Sequence, residues 1–183
     1  MKSNDYSEIL NFIDFENGSQ PPKSEHIYIE QENYIRFIQN RDYNSSSHLT
    51  YIRKSKRNHI CEKDDIMIDK YGEAGSVRYG LYGAYNVALM KIIPKFDYTK
   101  EFIRDFLSQK QVKELLYKSC LASTRPSLNS NSFIGLKIPV LENYMYEEYE
   151  KINSELLNYE FSINFKVEKL RKIKELLLKK YFK

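Results

Sequence analysis

Side chains able to recognise nucleic-acid bases and phosphates cluster beside aromatics at four places in this sequence. Arg36, Gln39, Asn40, Arg41 and Tyr43 stand where the apolar run YIRFIQ passes into polar residues. Arg53, Lys54, Lys56 and Arg57 put four cations into the six residues RKSKRN, with no acid among them. Lys70 and Tyr71 open a glycine-bearing segment that closes on Arg78, and Arg125 and Asn129 lie in STRPSLN. Arg can fork onto guanine O6 and N7, and Asn or Gln onto adenine N6 and N7. Lys, Ser and Thr suit phosphate contacts. Each cluster alone also has the composition of a solvated loop. The net charge of +4, from 29 Lys+Arg against 25 Asp+Glu, is too small by itself to imply nucleic acid.

The patterns of common enzyme chemistry do not occur. The six glycines, Gly18, Gly72, Gly75, Gly80, Gly83 and Gly135, never stand two apart, so no G-x-G turn can bring backbone close to a dinucleotide or S-adenosylmethionine. No Asp or Glu has a Lys two positions later, so the usual nuclease metal centre is not written here. His26, His48 and His59 are scattered, and no serine sits in a G-x-S-x-G elbow. Cys61 and Cys120 form no C-x-x-C pair. The expectation is a reduced, cytoplasmic chain with no catalytic residues, no metal site and no cofactor. Neither a secretory segment nor an apolar membrane span is expected.

A mixed α+β globule over residues 1–140 must position these side chains. The 183 residues suit one domain with an appendage, and 42% hydrophobic residues with 16 Tyr and 10 Phe describe a folded core. HIYIE (26–30), YIRFIQ (34–39), LTYIR (49–53), DIMID (65–69), AYNVALMKII (84–93) and FIGLKI (133–138) read as strands. Phe102, Ile103, Phe106 and Leu107, then Val112, Leu115 and Leu116, recur at helical spacing, with Asp97 and Thr99 as candidate caps.

Residues 141–183 contain neither Gly nor Pro and read as one long helix. Tyr149, Leu156, Ile163, Leu170 and Leu177 repeat every seven residues, with Ile152, Tyr159 and Ile173 on the companion edge. That is a heptad seam for coiled-coil dimerisation, broken on one edge by Lys166 and Lys180. The plainer alternative is an amphipathic helix lying on its own domain. At 1.5 Å per residue the helix runs about 60 Å, longer than a domain of this size is wide. Residues 142–160 carry six Glu against Lys151, and 161–183 carry eight Lys/Arg against Glu168 and Glu175. The helix dipole favours that order only at the end turns, whereas the bias fills each half. An antiparallel mate would set acidic half against basic half, so antiparallel pairing of two copies follows.

The order of several segments carries a resemblance. ENGSQPPK (16–23), YIRFIQNRDY (34–43), DDIMIDKYGEAG (64–75), GAYNVALMKIIP (83–94) and STRPSLNSNSFIGLKIPV (123–140) follow one another as a characteristic series does. They resemble one target recognition domain and the following helix of the specificity (S) subunits of type I restriction–modification systems. The resemblance spans nearly the whole chain. It departs at PVLENYMYEEY (139–149), where the family opens its helix with P-P-L-x-E-Q, and in having one domain and one helix where full S subunits have two of each. The resemblance implies a half-subunit without catalysis that binds one half of a bipartite site in double-stranded DNA and docks methyltransferase subunits. It also implies that Arg36, Gln39, Arg41, Tyr43, Tyr71 and Arg125 lie in DNA-facing segments. Two other readings are a coiled-coil scaffold that reads no DNA and a nuclease with an unrecognised site.

Overall fold

The computed structural model describes residues 5–45, 47–121 and 127–182. In chain order its elements are β1 (Tyr6–Glu8), β2 (Ile13–Asn17), β3 (Tyr34–Ile38), β4 (Tyr51–Arg53), β5 (Ile60–Cys61), β6 (Ile66–Asp69), β7 (Val77–Arg78), β8 (Gly83–Tyr85) and β9 (Leu89–Pro94). Then come α1 (Lys100–Ser108), α2 (Lys110–Cys120), β10 (Lys137–Pro139) and α3 (Asn143–Tyr181). The class is α+β, with β1–β9 before the first helix and β10 between α2 and α3. One four-stranded sheet has the order β2-β9-β6-β7, a second β4-β3-β8-β5, and β1 pairs β10 beside them.

Strand β6 explains the layering. All four of its residues, Ile66, Met67, Ile68 and Asp69, are buried. Alternate side chains of a strand point to opposite faces. Ile66 and Ile68 face a core shared with Ile103 and Leu107 of α1 and Leu116 of α2. Met67 faces the other way, into a cluster with Ile38, Cys61, Tyr85 and Leu89 that joins the two sheets. The first sheet is therefore covered on one side by helices and on the other by the second sheet.

The two helices are separated at Gln109, which leaves the helical region at φ −63°, ψ 135°. Val112, Leu116 and Cys120, one turn apart, form the buried stripe of α2. Gly75, at φ +87°, lets the β6–β7 loop approach this helix, since a Cβ there would meet Leu116 Cβ at 3.2 Å. Cys61 and Cys120 are both free and buried, and burial pushes the Cys61 thiol up to about 12.

Several expectations change. Of HIYIE only Ile27 pairs, bridging Tyr51, so no strand forms there. AYNVALMKII is two strands, divided where Asn86 Oδ1 accepts the Ala88 N–H at 3.1 Å and turns the chain. FIGLKI shrinks to β10, because Phe133 closes a 3₁₀ turn and Gly135 sits at φ +80°. Neither Asp97 nor Thr99 caps α1 with its side chain; the Thr99 hydroxyl donates to the Phe96 carbonyl at 2.7 Å instead. Strands β1, β2, β5 and β7 are additions to the sequence reading. Among the described residues no helix is long and apolar enough to cross a membrane.

The junction of the two sheets is tightest at Gly18, whose neighbour Ser19 bridges Asn86. A Cβ on Gly18 would lie 2.1 Å from the Asn86 carbonyl oxygen and 2.6 Å from that of Tyr85. Gly18→Ala is therefore expected to destabilise the protein by about 2–3 kcal/mol, read as a lowered denaturant midpoint at unchanged m-value.

Candidate nucleic-acid interface

Strand direction decides which loops can share a surface. β8 runs parallel to β3, so the loops after Ile38 and after Tyr85 leave by the same end of the second sheet. In the first sheet β9 pairs antiparallel with both β2 and β6, opposite Asn17–Met90 and Asp69–Leu89. The ends of β2 and β6 thus emerge beside the start of β9. Five segments meet on one rim: those at Asn17, Gln39–Tyr43, Lys70–Gly72, Asn86–Ala88 and Leu128–Asn129.

Hydrogen bonds tie them together. Asn40 Nδ2 donates to the Tyr71 carbonyl at 3.3 Å and to the Ala88 carbonyl at 3.4 Å. Lys70 Nζ donates to Asn17 Oδ1 at 2.8 Å, Lys70 N–H to the Ala88 carbonyl at 2.8 Å, and Leu128 N–H to the Lys70 carbonyl at 3.0 Å. Burial holds the Lys70 amine below its ordinary value. Gln39 N–H donates to Asp42 Oδ2 at 3.0 Å, and Gln39 Nε2 to the Thr50 hydroxyl at 3.3 Å. Asp42 is buried, and that burial raises its carboxyl. What the rim presents outward is the Arg41 guanidinium, 56% exposed, with Tyr71, Gly72, Asn17 and Asn129. Exposed Asn17 escaped the sequence reading, and only the ENGSQPPK motif signalled it.

The other candidates separate. Arg53, Lys54, Lys56 and Arg57 are exposed, but Arg53 lies opposite Tyr34, at the far end of β3 from the rim. Arg36 and Tyr43 line a cleft of about 400 Å³ between the Asn40–Tyr43 turn and the face of α3 carrying Glu160, Phe161 and Arg171. The Nε and Nη2 of Arg36 and the Tyr43 hydroxyl are buried there without a hydrogen-bond partner among the described residues. Burial raises that hydroxyl well above the usual tyrosine value. Arg125 lies outside the described residues.

Arg78 leaves the base-reading set. Its guanidinium donates twice to Asp69 Oδ2, at 3.1 and 2.9 Å, and to Glu73 Oε2 at 2.9 Å. Arg78 is 17% exposed and Asp69 1% exposed. Burial pushes the Asp69 carboxyl up to about 6, with Arg78 pulling against it. This pair anchors the loop that displays Tyr71. Among the described residues no three His, Cys, Asp or Glu side chains are grouped to hold a metal ion.

The helix seam is placed equally clearly. Ile152, Leu156, Tyr159, Ile163, Leu170, Ile173 and Leu177 are all exposed. Tyr149 departs from the seam. It packs edge-on to Phe102 of α1, 5.4 Å between ring centroids, and its hydroxyl donates to Asp105 at 2.6 Å.

The sequence matches the family described as Type I restriction modification DNA specificity domain over residues 1–178. No curated protein matches it. Among solved structures it is similar to the type I restriction–modification S subunit of M. genitalium, at 18% identity and TM-score 0.66, covering 96% of this chain and 45% of that one. It is also similar to the HsdS subunit of Thermoanaerobacter tengcongensis, at 13% identity and TM-score 0.58, covering 96% and 44%. A third structure, described as the basis of complex assembly and conformational transition of the type I R-M system, gives 14% identity and TM-score 0.54, covering 98% and 45%. At these identities the likeness is one of fold, and the chain spans less than half the length of each of the three.

Arg78 and Arg41 have opposite expected phenotypes. Arg78→Ala strands Asp69 as an unpaired buried carboxylate and is expected to cost about 3–5 kcal/mol of stability. Arg41→Ala is expected to cost at most about 1 kcal/mol, since its guanidinium is 56% exposed and pairs with Asp42 only at 3.8 Å. Urea titrations of the two variants at pH 7.5 check both.

Proposed function

The chain belongs to the type I restriction–modification DNA specificity family, and we propose that it reads one half of a bipartite site in double-stranded DNA through the rim, pairing with a second copy through α3. The observation that carries the reading is the convergence of five segments on one rim, four from the two sheets and one from the stretch after α2. Their shared hydrogen bonds fix the backbone, and Arg41, Tyr71, Asn17 and Asn129 stay exposed on the rim, where they can meet a groove. Such a division suits recognition, because loops held by a rigid scaffold keep base-directed side chains in register. In this reading Lys54, Lys56 and Arg57 meet phosphate at a distance from the base contacts, and the chain itself is non-catalytic.

Seven exposed apolar residues of the seam support pairing, and the charge division along α3 favours an antiparallel mate. The two-fold axis then crosses near Ile163, and the two domains sit at opposite ends of the helix pair. Docking of methyltransferase subunits has separate support near the C-terminus. Leu176, Leu177 and Leu178 are all exposed. Successive residues turn by about 100°, so Leu176 and Leu178 flank the seam and one antiparallel mate leaves them uncovered. A further apolar partner belongs there, and the methyltransferase subunits are that partner in this reading.

Two copies related by a two-fold axis read a two-fold sequence. The selected site is expected to be palindromic, with short half-sites on the order of one helical turn, ~10 bp, apart around an unread spacer. Binding should weaken steeply with salt as phosphate contacts release counterions. Ile163→Asp sets two charges against each other at the axis and is expected to give monomers in sedimentation and to abolish tight binding. Selection of a contiguous, asymmetric site, or a wild type that stays monomeric when bound, would rule out this arrangement. A dimer that ignores duplex DNA at every salt concentration would return the chain to the scaffold reading.

A further inference from the structure

We propose that Glu150 is a positioning residue that fixes the angle between the recognition domain and α3, and thereby the half-site spacing that a pair of copies accepts. The proposal rests on the functional reading above. Its first observation is a cap that the neighbouring sequence fails to supply. Helix α1 begins at Lys100, and Thr99 at its N-cap position spends its hydroxyl on the Phe96 carbonyl. The first-turn N–H groups of a helix have no partner within it. The N–H of Glu101 donates instead to Glu150 Oε2 at 2.7 Å, from the third turn of a helix that starts more than forty residues later. A carboxylate there also meets the positive end of the α1 dipole.

The surroundings give this bond a defined direction. The Glu101 side chain turns inward, 6% exposed, and pairs with Arg104 at 3.0 Å, itself 3% exposed. Arg104 also donates to the Asp64 carbonyl, and its guanidinium lies 5.0 Å from the Tyr79 ring centroid. The Tyr79 hydroxyl donates to Glu160 at 3.3 Å, three turns further along α3. Tyr149, just before Glu150, donates to Asp105, and Leu157, between Glu150 and Glu160, is buried. Polar contacts at Tyr149, Glu150 and Glu160 therefore grip one stripe of α3, leaving the stripe of Ile152, Leu156 and Ile163 outward. The Tyr146 hydroxyl, which accepts the Leu141 N–H and donates to the Pro139 carbonyl, ties the start of α3 only to the chain just before it. Apolar packing at Leu157 tolerates small rotations of a helix. The bond from Glu150 to a backbone N–H is directional and does not.

The test combines the full-length chain with duplexes carrying its selected site at spacers altered by 1–3 bp. Wild type is expected to lose about tenfold in affinity per unfavourable spacer, because linked binding fails where geometry forbids simultaneous engagement. Glu150→Ala is expected to bind the preferred spacer about tenfold more weakly and to discriminate among spacers by less than about threefold. Glu150→Gln keeps an oxygen acceptor for the Glu101 N–H and is expected to restore the wild-type profile. A second readout needs no DNA. Spin labels at K118C and K172C, in chains diluted into unlabelled protein, should show one narrow distance in wild type and a broadened one in Glu150→Ala. A wild type without affinity for DNA overturns the functional reading and this proposal with it. A wild type that binds a spaced site, paired with a Glu150→Ala protein of unchanged spacer profile or unchanged distances, overturns this proposal alone.

Discussion

The burial of β6 on both faces is the constraint on which the rest of the molecule depends. Ile66 and Ile68 belong to the helix-side core and Met67 to the cluster between the sheets. One short strand therefore registers both sheets to the helices. Because β6 ends at Asp69, the loop bearing Lys70 and Tyr71 leaves the core at a set point. Asn40, from the other sheet, can then close on the Tyr71 carbonyl. Displacing β6 by one residue would bring Met67 into the helix-side core and strip Asp69 of Arg78.

Charges buried beneath the rim and at the start of α1 serve placement of the chain. Arg78 and Asp69 lie under the rim, and Arg104 and Glu101 lie under the start of α1. Both pairs hold cations in positions where solvent or nucleic acid cannot take them. A basic residue beside aromatics in the sequence is thus either a reader or a strut. The neighbours that decide between them come from other strands.

That is why the sequence showed the architecture more fully than the surface. The runs of β3, β6 and β9, the two stripes of α1 and α2 and the uninterrupted α3 are local patterns, and they appear close to where the periodicities put them. Strands β5 and β7 are two residues each and carry no period at all. FIGLKI looked extended because its apolar residues are contiguous, but Gly135 takes a left-handed conformation that breaks the run. Arg78 looked free because its acidic partners, Asp69 and Glu73, precede it by nine and five residues across a turn. Tyr149 fits the heptad by spacing, yet Phe102 and Asp105 claim it from a helix that the spacing cannot see.

From Glu150, where α1 holds it, α3 runs on to Tyr181, about thirty residues or roughly 45 Å. Mechanically this is a lever arm, and a tilt of 10° at Glu150 would move the far end by roughly 8 Å, given that length. That exceeds the 3.4 Å rise of one base pair. Angular tolerance at the root therefore sets the linear accuracy with which the far end of α3 is placed. A lever this long is a useful ruler only when its fulcrum is stiffer than the shaft.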